Sequence, residues 1–325
     1  MKKVKTAILG AGNIAGRMAA TLAVSEDAEL WAVASRDEGK ARAMAEKYGA
    51  TKFFGNYESL YADPDTELVY VATPHSFHYE QARMALLAGK HVICEKPMTV
   101  NEAQAASLFE LAEQRGLLAT EAIWTRYLPS AETLRQRLEE GAIGEVTMME
   151  ARFGSDCRHI PRMAEPELAG GALLDLGVYC LTLFDMIFGS DTRNIQTTGW
   201  LTEKGVDARS VTTLTYHDGR MAVMMTAMDT ALGDSLMIYG SRGRIRLRPL
   251  YNWQEIVVYT SDGQISECIP RPQQLTGFEY EVSAAAKAIR AGALETEKAP
   301  RAATLRIMRQ MDQLRAAWQP AVPTV

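Results

Sequence analysis

The chain has 325 residues, 47% of them hydrophobic and 23% charged, with a formal net charge of -5 at pH 7. That length is roughly twice a usual single domain, so one large or two medium domains with a substantial core are expected. The balance is that of an ordinary soluble protein and offers no field to attract a polyanion, which argues against nucleic acid as a partner.

No apolar run reads as long enough to cross a bilayer. The opening "MKKVKTAILGAG" turns directly into a glycine-rich loop where a signal peptide would carry its apolar core. A cytoplasmic location with no membrane partner is the expectation. Cys94, Cys157, Cys180 and Cys268 are scattered, without a CxxC pair or a histidine at metal spacing, so neither a disulfide framework nor a metal site is indicated.

Up to about residue 122, short apolar runs alternate with amphipathic stretches. "KTAILG", "ELWAVAS", "TKFFG", "ELVYVAT", "KHVICEK" and "GLLATEA" read as strands, and "NIAGRMAATLAV", "EGKARAMAEKYG", "YEQARMALLAG" and "VNEAQAASLFELAEQRG" as helices between them. The alternation predicts an α/β domain over residues 1–122 with a doubly wound parallel sheet. After a helix around Pro129 to Glu140 the rhythm changes to longer strands, in "EVTMMEARFG", "SVTTLTYHDGRMAVMMTAM", "DSLMIYGSRGRIRLR" and "EIVVYTSDGQISE", with hairpin signals at "HDG", "GSRG" and "SDG". Residues 123–325 are expected to form an α+β domain built on a large, mostly antiparallel open sheet. The closing helices "EYEVSAAAKAIRAG" and "RAATLRIMRQMDQLRAAW" are candidates to pack back on the first domain.

"AILGAGNIAGRMA" places Gly10 and Gly12 where the first strand enters a helix. Glycine there lets the backbone turn tightly and approach a pyrophosphate, whose charge sits at the helix N-terminus beside Asn13 and Ile14. The second strand ends in Ser35-Arg36, where an NAD site normally carries a carboxylate. A hydroxyl and a guanidinium suit a 2′-phosphate, so NADP is favoured over NAD, although Asp37 follows immediately. The fourth strand runs into "ATPHSFHYEQA", which brings Thr73, Pro74, His75 and His78 to the carboxyl edge where ligands bind in such sheets; for each histidine a cap or surface role is an equal reading. The fifth strand, "HVICE", ends at the same edge in Glu95-Lys96-Pro97. A lysine there is costly to desolvate without a partner or a task, and Pro97 holds it extended.

Together "GAGNIA", "TPHSFH", "EKPMT", "GGALLDLGVYCLTLFDMIFG" and "GFEYEVSAAAKAIRAG" resemble the Gfo/Idh/MocA family of oxidoreductases over nearly the whole chain. Read alone, "GGALLDLGVY" already suggests chemistry: Asp175 and Tyr179 are four apart on one helical face, and a phenol near an ammonium is a useful proton donor or acceptor. A packed aromatic is the competing reading of Tyr179. The resemblance implies Lys96, Asp175 and Tyr179 as the catalytic group, with the tyrosine as acid/base. Many members carry histidine in place of Tyr179, and the tyrosine form implies the branch acting on trans-dihydrodiols and aldoses such as xylose. It further implies that Trp124 and Arg126 wall the nicotinamide pocket and that Arg162 lies near the cofactor, at a spacing one residue longer than the usual pattern. Phe153, Trp253 and Phe278 are candidates for an apolar substrate wall, each with plain core as its alternative.

The expected protein is an NADP-dependent oxidoreductase acting on a polyhydroxylated ring, working as a homodimer or higher homo-oligomer through the C-terminal sheet. Two other classes stay open, a non-catalytic dinucleotide sensor and a dinucleotide-dependent glycosidase.

Overall fold

Six apolar runs of the first part of the chain form the strands β1 (Val4–Leu9), β2 (Ala28–Ala34), β3 (Lys52–Phe54), β4 (Leu68–Val71), β5 (His91–Glu95) and β6 (Ala119–Ala122). They pair in the order β3-β2-β1-β4-β5-β6, all parallel. Ile8, Val33, Val69, Tyr70 and Ile93 are fully enclosed, as expected of strands covered by helices on both faces. The helices Asn13–Val24, Glu38–Tyr48, His78–Leu87 and Glu102–Arg115 fall where the apolar spacing predicts. Two of them start on side-chain caps: Asp37 accepts from Lys40 N and Asn101 from Gln104 N, each satisfying a first-turn N–H. Chain order reverses between β1 and β4, so the crevice beyond the carboxyl ends of these strands is the place where such a sheet holds a ligand.

The structure is a computed structural model that describes residues 2–318 and contains two compact units. The first runs to Tyr127 and includes Gln274–Leu305; the second comprises Leu128–Gln273 and the described residues from Arg306 onward. Within the first unit the helix Glu279–Arg290 is tied to Asp27, which accepts from Ser283 Oγ at 2.6 Å and pairs with Arg290 at 2.8 Å.

The second unit holds an eight-stranded sheet of β7 (Val146–Gly154), β8 (Thr192–Leu201), β9 (Asp207–Tyr216), β10 (Met221–Ala227), β11 (Gly233–Gly240), β12 (Gly243–Arg248), β13 (Glu255–Thr260) and β14 (Ile265–Pro270). Their order is β14-β13-β12-β11-β7-β10-β9-β8, antiparallel except that β7 and β10 run parallel. Strand β8 is the one the sequence rhythm does not announce. "TRNIQTTGWL" lies at the sheet edge and has Ile195, Trp200 and Leu201 as its only large apolar residues, so its apolar alternation is weak although its burial alternates.

One expectation needs correction. The segment Pro166–Phe188 is 23 residues long, and its most apolar window reaches a mean hydropathy of 1.6, enough by length and composition to cross a membrane. That window is 83% buried inside the fold. Its apolar character is that of the core helix Val178–Phe188, whose residues lie against the sheet.

Candidate functional site

In the first unit the strand ends bring together the residues that the sequence reading expects at a dinucleotide. Gly10 takes a φ of +112°, and a Cβ there would stand 2.7 Å from the carbonyl oxygen of Ala72, so only glycine lets β1 turn beside β4. Gly12 caps the following helix with no side chain bonded to its first N–H groups, and a Cβ there would meet nothing within 4 Å. The first turn at Asn13 and Ile14 thus presents backbone donors and the positive end of the helix to an anion.

At the end of β2, Ser35 is buried and accepts from Asp37 N at 3.2 Å. The Asp37 carboxylate accepts from Lys40 N at 3.1 Å as the cap of the next helix. This engages the one carboxylate that the sequence leaves open as a ribose ligand. Arg36 is exposed, with its guanidinium 5.5 Å from the Phe77 ring. Burial raises the Tyr57 phenol, and the Arg36 charge opposes the rise.

Beyond β4, Thr73 Oγ1 donates to Gln81 at 2.5 Å. His78 is fully buried, its Nδ1 2.9 Å from the Pro97 carbonyl oxygen and its Nε2 2.8 Å from that of Thr73. This ring joins the loop after β4 to the loop after β5. Two carbonyls would favour an imidazolium, but burial dominates, joined by the His75 ring and the Lys96 charge, and the pKa falls to about 4. His78 is therefore neutral near pH 7 and acts through the loops it holds. His75 is also buried, 5.6 Å from His78 in an edge-to-face arrangement.

Glu95 is buried and accepts from the Tyr70 hydroxyl and, at 3.2 Å, from Lys96 N. Lys96 itself is half-buried, and the Lys96-Pro97 peptide is cis. The loop is anchored from below by Glu121, which accepts from Met98 N at 2.9 Å and from Thr304 at 2.9 Å. Burial pushes the Glu121 carboxyl up, against those two bonds and the charges of Arg126 and Lys96. The sequence reading overlooks Glu121, although a glutamate inside the apolar strand "ATEA" is itself a signal. Trp124, also buried, stacks on Phe278 with ring centroids 4.6 Å apart. Phe278 thus belongs to the first unit, as a partner of Trp124.

In the second unit Asp175 lies in a π-helical turn, Leu173–Gly177, that runs into the α-helix carrying Tyr179. Such wide turns recur at functional positions. Asp175 pairs with Arg162 at 2.7 Å, which places Arg162 as the partner of the carboxylate. Tyr179 stands in an aromatic group, 6.0 Å from Phe153 and 5.8 Å from Tyr251, while Phe153 and Tyr251 stack at 5.5 Å. Tyr251 escapes the sequence reading because it follows a strand in an irregular loop. Trp253, two residues on, has no exposure and lies in the core. Among the described residues no group of three or more metal-binding side chains occurs.

A family model described as "Oxidoreductase family, NAD-binding Rossmann fold" (GFO_IDH_MocA) matches residues 4–123, and one described as "GFO/IDH/MocA C-terminal domain" matches residues 131–246. The Mus musculus protein named trans-1,2-dihydrobenzene-1,2-diol dehydrogenase is 37% identical over 254 residues, covering 77% of this chain and 76% of its own. The Homo sapiens protein of the same name is 37% identical over 233 residues, 71% of this chain and 70% of its own. Among solved structures, a 3-ketoreductase from Actinomadura kijaniata in complex with NADP and TDP-benzene superposes with a TM-score of 0.89 at 27% identity, covering 98% of this chain and 99% of its own.

Proposed function

The chain belongs to the Gfo/Idh/MocA oxidoreductase family, and we propose that within it the protein is an NADP-dependent dehydrogenase acting on a CH–OH group of a polyhydroxylated ring, a trans-dihydrodiol or an aldose. The observation that carries the substrate class is the company of Tyr179: an acid/base phenol set among Phe153 and Tyr251, with Asp175, the partner of Arg162, on the same helical stretch. Flat aromatic faces receive the apolar side of a ring, and the charged pair offers hydrogen bonds to its hydroxyls.

When bound, the nicotinamide supplies the hydride acceptor or donor. In the oxidative direction the Tyr179 phenolate accepts the proton of the substrate hydroxyl; in the reductive direction the phenol returns it to the carbonyl oxygen. The Lys96 ammonium makes the phenolate less costly, and Asp175 orients the substrate hydroxyl. Ser35 and Arg36 hold the 2′-phosphate, a reading supported by the engagement of Asp37 in its helix cap. Gly10, Gly12, Asn13 and Ile14 receive the pyrophosphate, and Thr73, Pro74, His75, His78, Glu95, Trp124 and Arg126 line or brace the rest of the cofactor site. The unit containing β1 to β6 binds the dinucleotide. The unit with the large sheet binds substrate and joins two copies of the chain through its open face.

The test is an absorbance screen for nicotinamide turnover with NADP and with NAD, in both directions, against trans-dihydrodiols, aldoses, inositols and dicarbonyls. Turnover with a dihydrodiol or an aldose is expected. Tight NADP binding without turnover of any substrate would instead assign the chain to the dinucleotide sensors.

A further inference from the structure

The helical stretch that carries Asp175 and Tyr179 starts without a local cap, since Ala172 precedes it and donates or accepts no side-chain bond. The missing acceptor comes from far along the chain. Asp207, at the start of β9, accepts from Leu173 N through Oδ2 at 2.6 Å. Its other oxygen lies where a side chain on Gly171 would be: a Cβ there would fall 2.0 Å from Asp207 Oδ1, and Gly171 holds a φ of +114°. The second glycine of "GGALLDLG" thus exists to let this carboxylate reach the helix start. Asp207 is buried, and among the described residues it forms no ion pair. The neighbouring charges have partners of their own: Lys204 is paired with Glu165, Arg209 with Asp229, Arg315 with Asp312, and Arg162 with Asp175.

We propose that Asp207 is a positioning residue for the reaction described above, its carboxylate fixing the first turn of the helix that carries Asp175 and Tyr179 and so fixing where both side chains stand. This rests on the reading of those two residues as working groups. A carboxylate at a helix start is favoured both by the hydrogen bond and by the helix dipole, and both weaken when it takes up a proton. Burial raises the Asp207 carboxyl to about 7, against the bond from Leu173 and the charge of Arg315. The cap therefore changes strength near neutral pH.

Three measurements on the full chain test this. In wild type, kcat falls on acidification through about pH 7, by roughly fivefold if the charge strengthens the cap by about 1 kcal/mol. Asp207→Asn keeps a neutral acceptor at every pH, and its profile loses that limb. Asp207→Ala removes the acceptor and lowers kcat about tenfold across the range, with KM for NADP within about twofold. The Leu173 amide, followed by NMR in the protein without substrate, shifts with a midpoint near 7 in wild type and stays flat in Asp207→Asn. A Leu173 amide that does not titrate, or an Asp207→Ala variant with wild-type kcat, overturns the proposal. The amide measurement still decides if Asp207→Ala does not fold. The two readings fail separately: if Tyr179→Phe keeps full turnover while the Leu173 amide titrates and Asp207→Ala is slow, the acid/base assignment is wrong and the cap stands.

Discussion

Arg162 and Asp175 form an ion pair at 2.7 Å in which the Asp175 side chain is 9% exposed and the Arg162 side chain 44%. The arginine is the open half, so it is the half that can be replaced without opening the core. Arg162→Met takes the guanidinium away from a buried carboxylate, a change that costs about 3–5 kcal/mol where a pair is fully enclosed and less at this half-open site. We expect a lower melting temperature and a fall in kcat/KM of roughly a hundredfold, with Arg162→Lys recovering part of both. Steady-state kinetics with a thermal melt check it; wild-type values for Arg162→Met would remove the pair from the account of the site.

Tyr179→Phe keeps the aromatic packing with Phe153 and Tyr251 and removes the hydroxyl proposed to carry the proton. Its kcat should drop by about 10²–10⁴, while NADP affinity, read by fluorescence titration, stays within about twofold. Lys96→Met should show a loss of the same order. Either variant with full turnover on every accepted substrate would refute the acid/base assignment.

The proposed preference for NADP rests on Arg36, beside an Asp37 carboxylate that accepts from Lys40 N as a helix cap. Removing a charge-assisted contact to a phosphate costs about 1.5–3 kcal/mol, or roughly 10- to 100-fold in affinity. Arg36→Ala should therefore weaken NADP by that factor and leave NAD nearly unchanged, in a paired titration. Equal losses for both cofactors would place Arg36 away from the 2′-phosphate.

His78 makes stability depend on pH. Its native pKa is about 4 and its ordinary value 6.5, so between these limits the unfolded chain binds the proton and the native ring does not. Stability therefore rises with pH across that window and is lost as pH falls through it, by on the order of 3 kcal/mol. Denaturant unfolding at pH 7 and pH 4.5 should show most of this difference in wild type and much less in His78→Gln. An identical pH dependence in the two proteins would mean that another group sets it.

The parts of the fold that local pattern controls were legible in the sequence. The six parallel strands follow from apolar runs between amphipathic helices, and the helix Asn13–Val24 from glycines followed by an apolar stripe. What local pattern does not control was not legible. Strand β8 owes its place to pairing with β9 and has little apolar alternation of its own. Asp175 and Tyr179 stand out by spacing, but their partners Arg162 and Tyr251 come from irregular segments before and after them. Asp207 is 34 residues from the amide it caps, and nothing in "VDARSV" advertises that contact. His78 reads equally well as a ligand or as a brace until its two carbonyl partners are known.

The open face of the large sheet gives the last prediction. Met148 pairs with Met221, and Met225 with Val211, so their side chains share the face opposite the core helix. Met148 and Met221 are each 38% exposed and Val211 51%, while the alternate residues Met149, Ala222, Met224 and Leu214 are buried. Two apolar pairs on three adjacent strands, with Val223 between them and Thr215 and Arg152 completing their rows, are more than scattered surface hydrophobics, and a second copy of the same face would cover them. Light scattering should give about twice the chain mass of 35.8 kDa for wild type. Val211→Lys combined with Met221→Lys sets like charges against each other across a two-fold interface and should yield monomers, without touching the residues assigned to the cofactor or the substrate. A wild-type protein that scatters as a monomer at micromolar concentration would leave this face without the partner proposed for it.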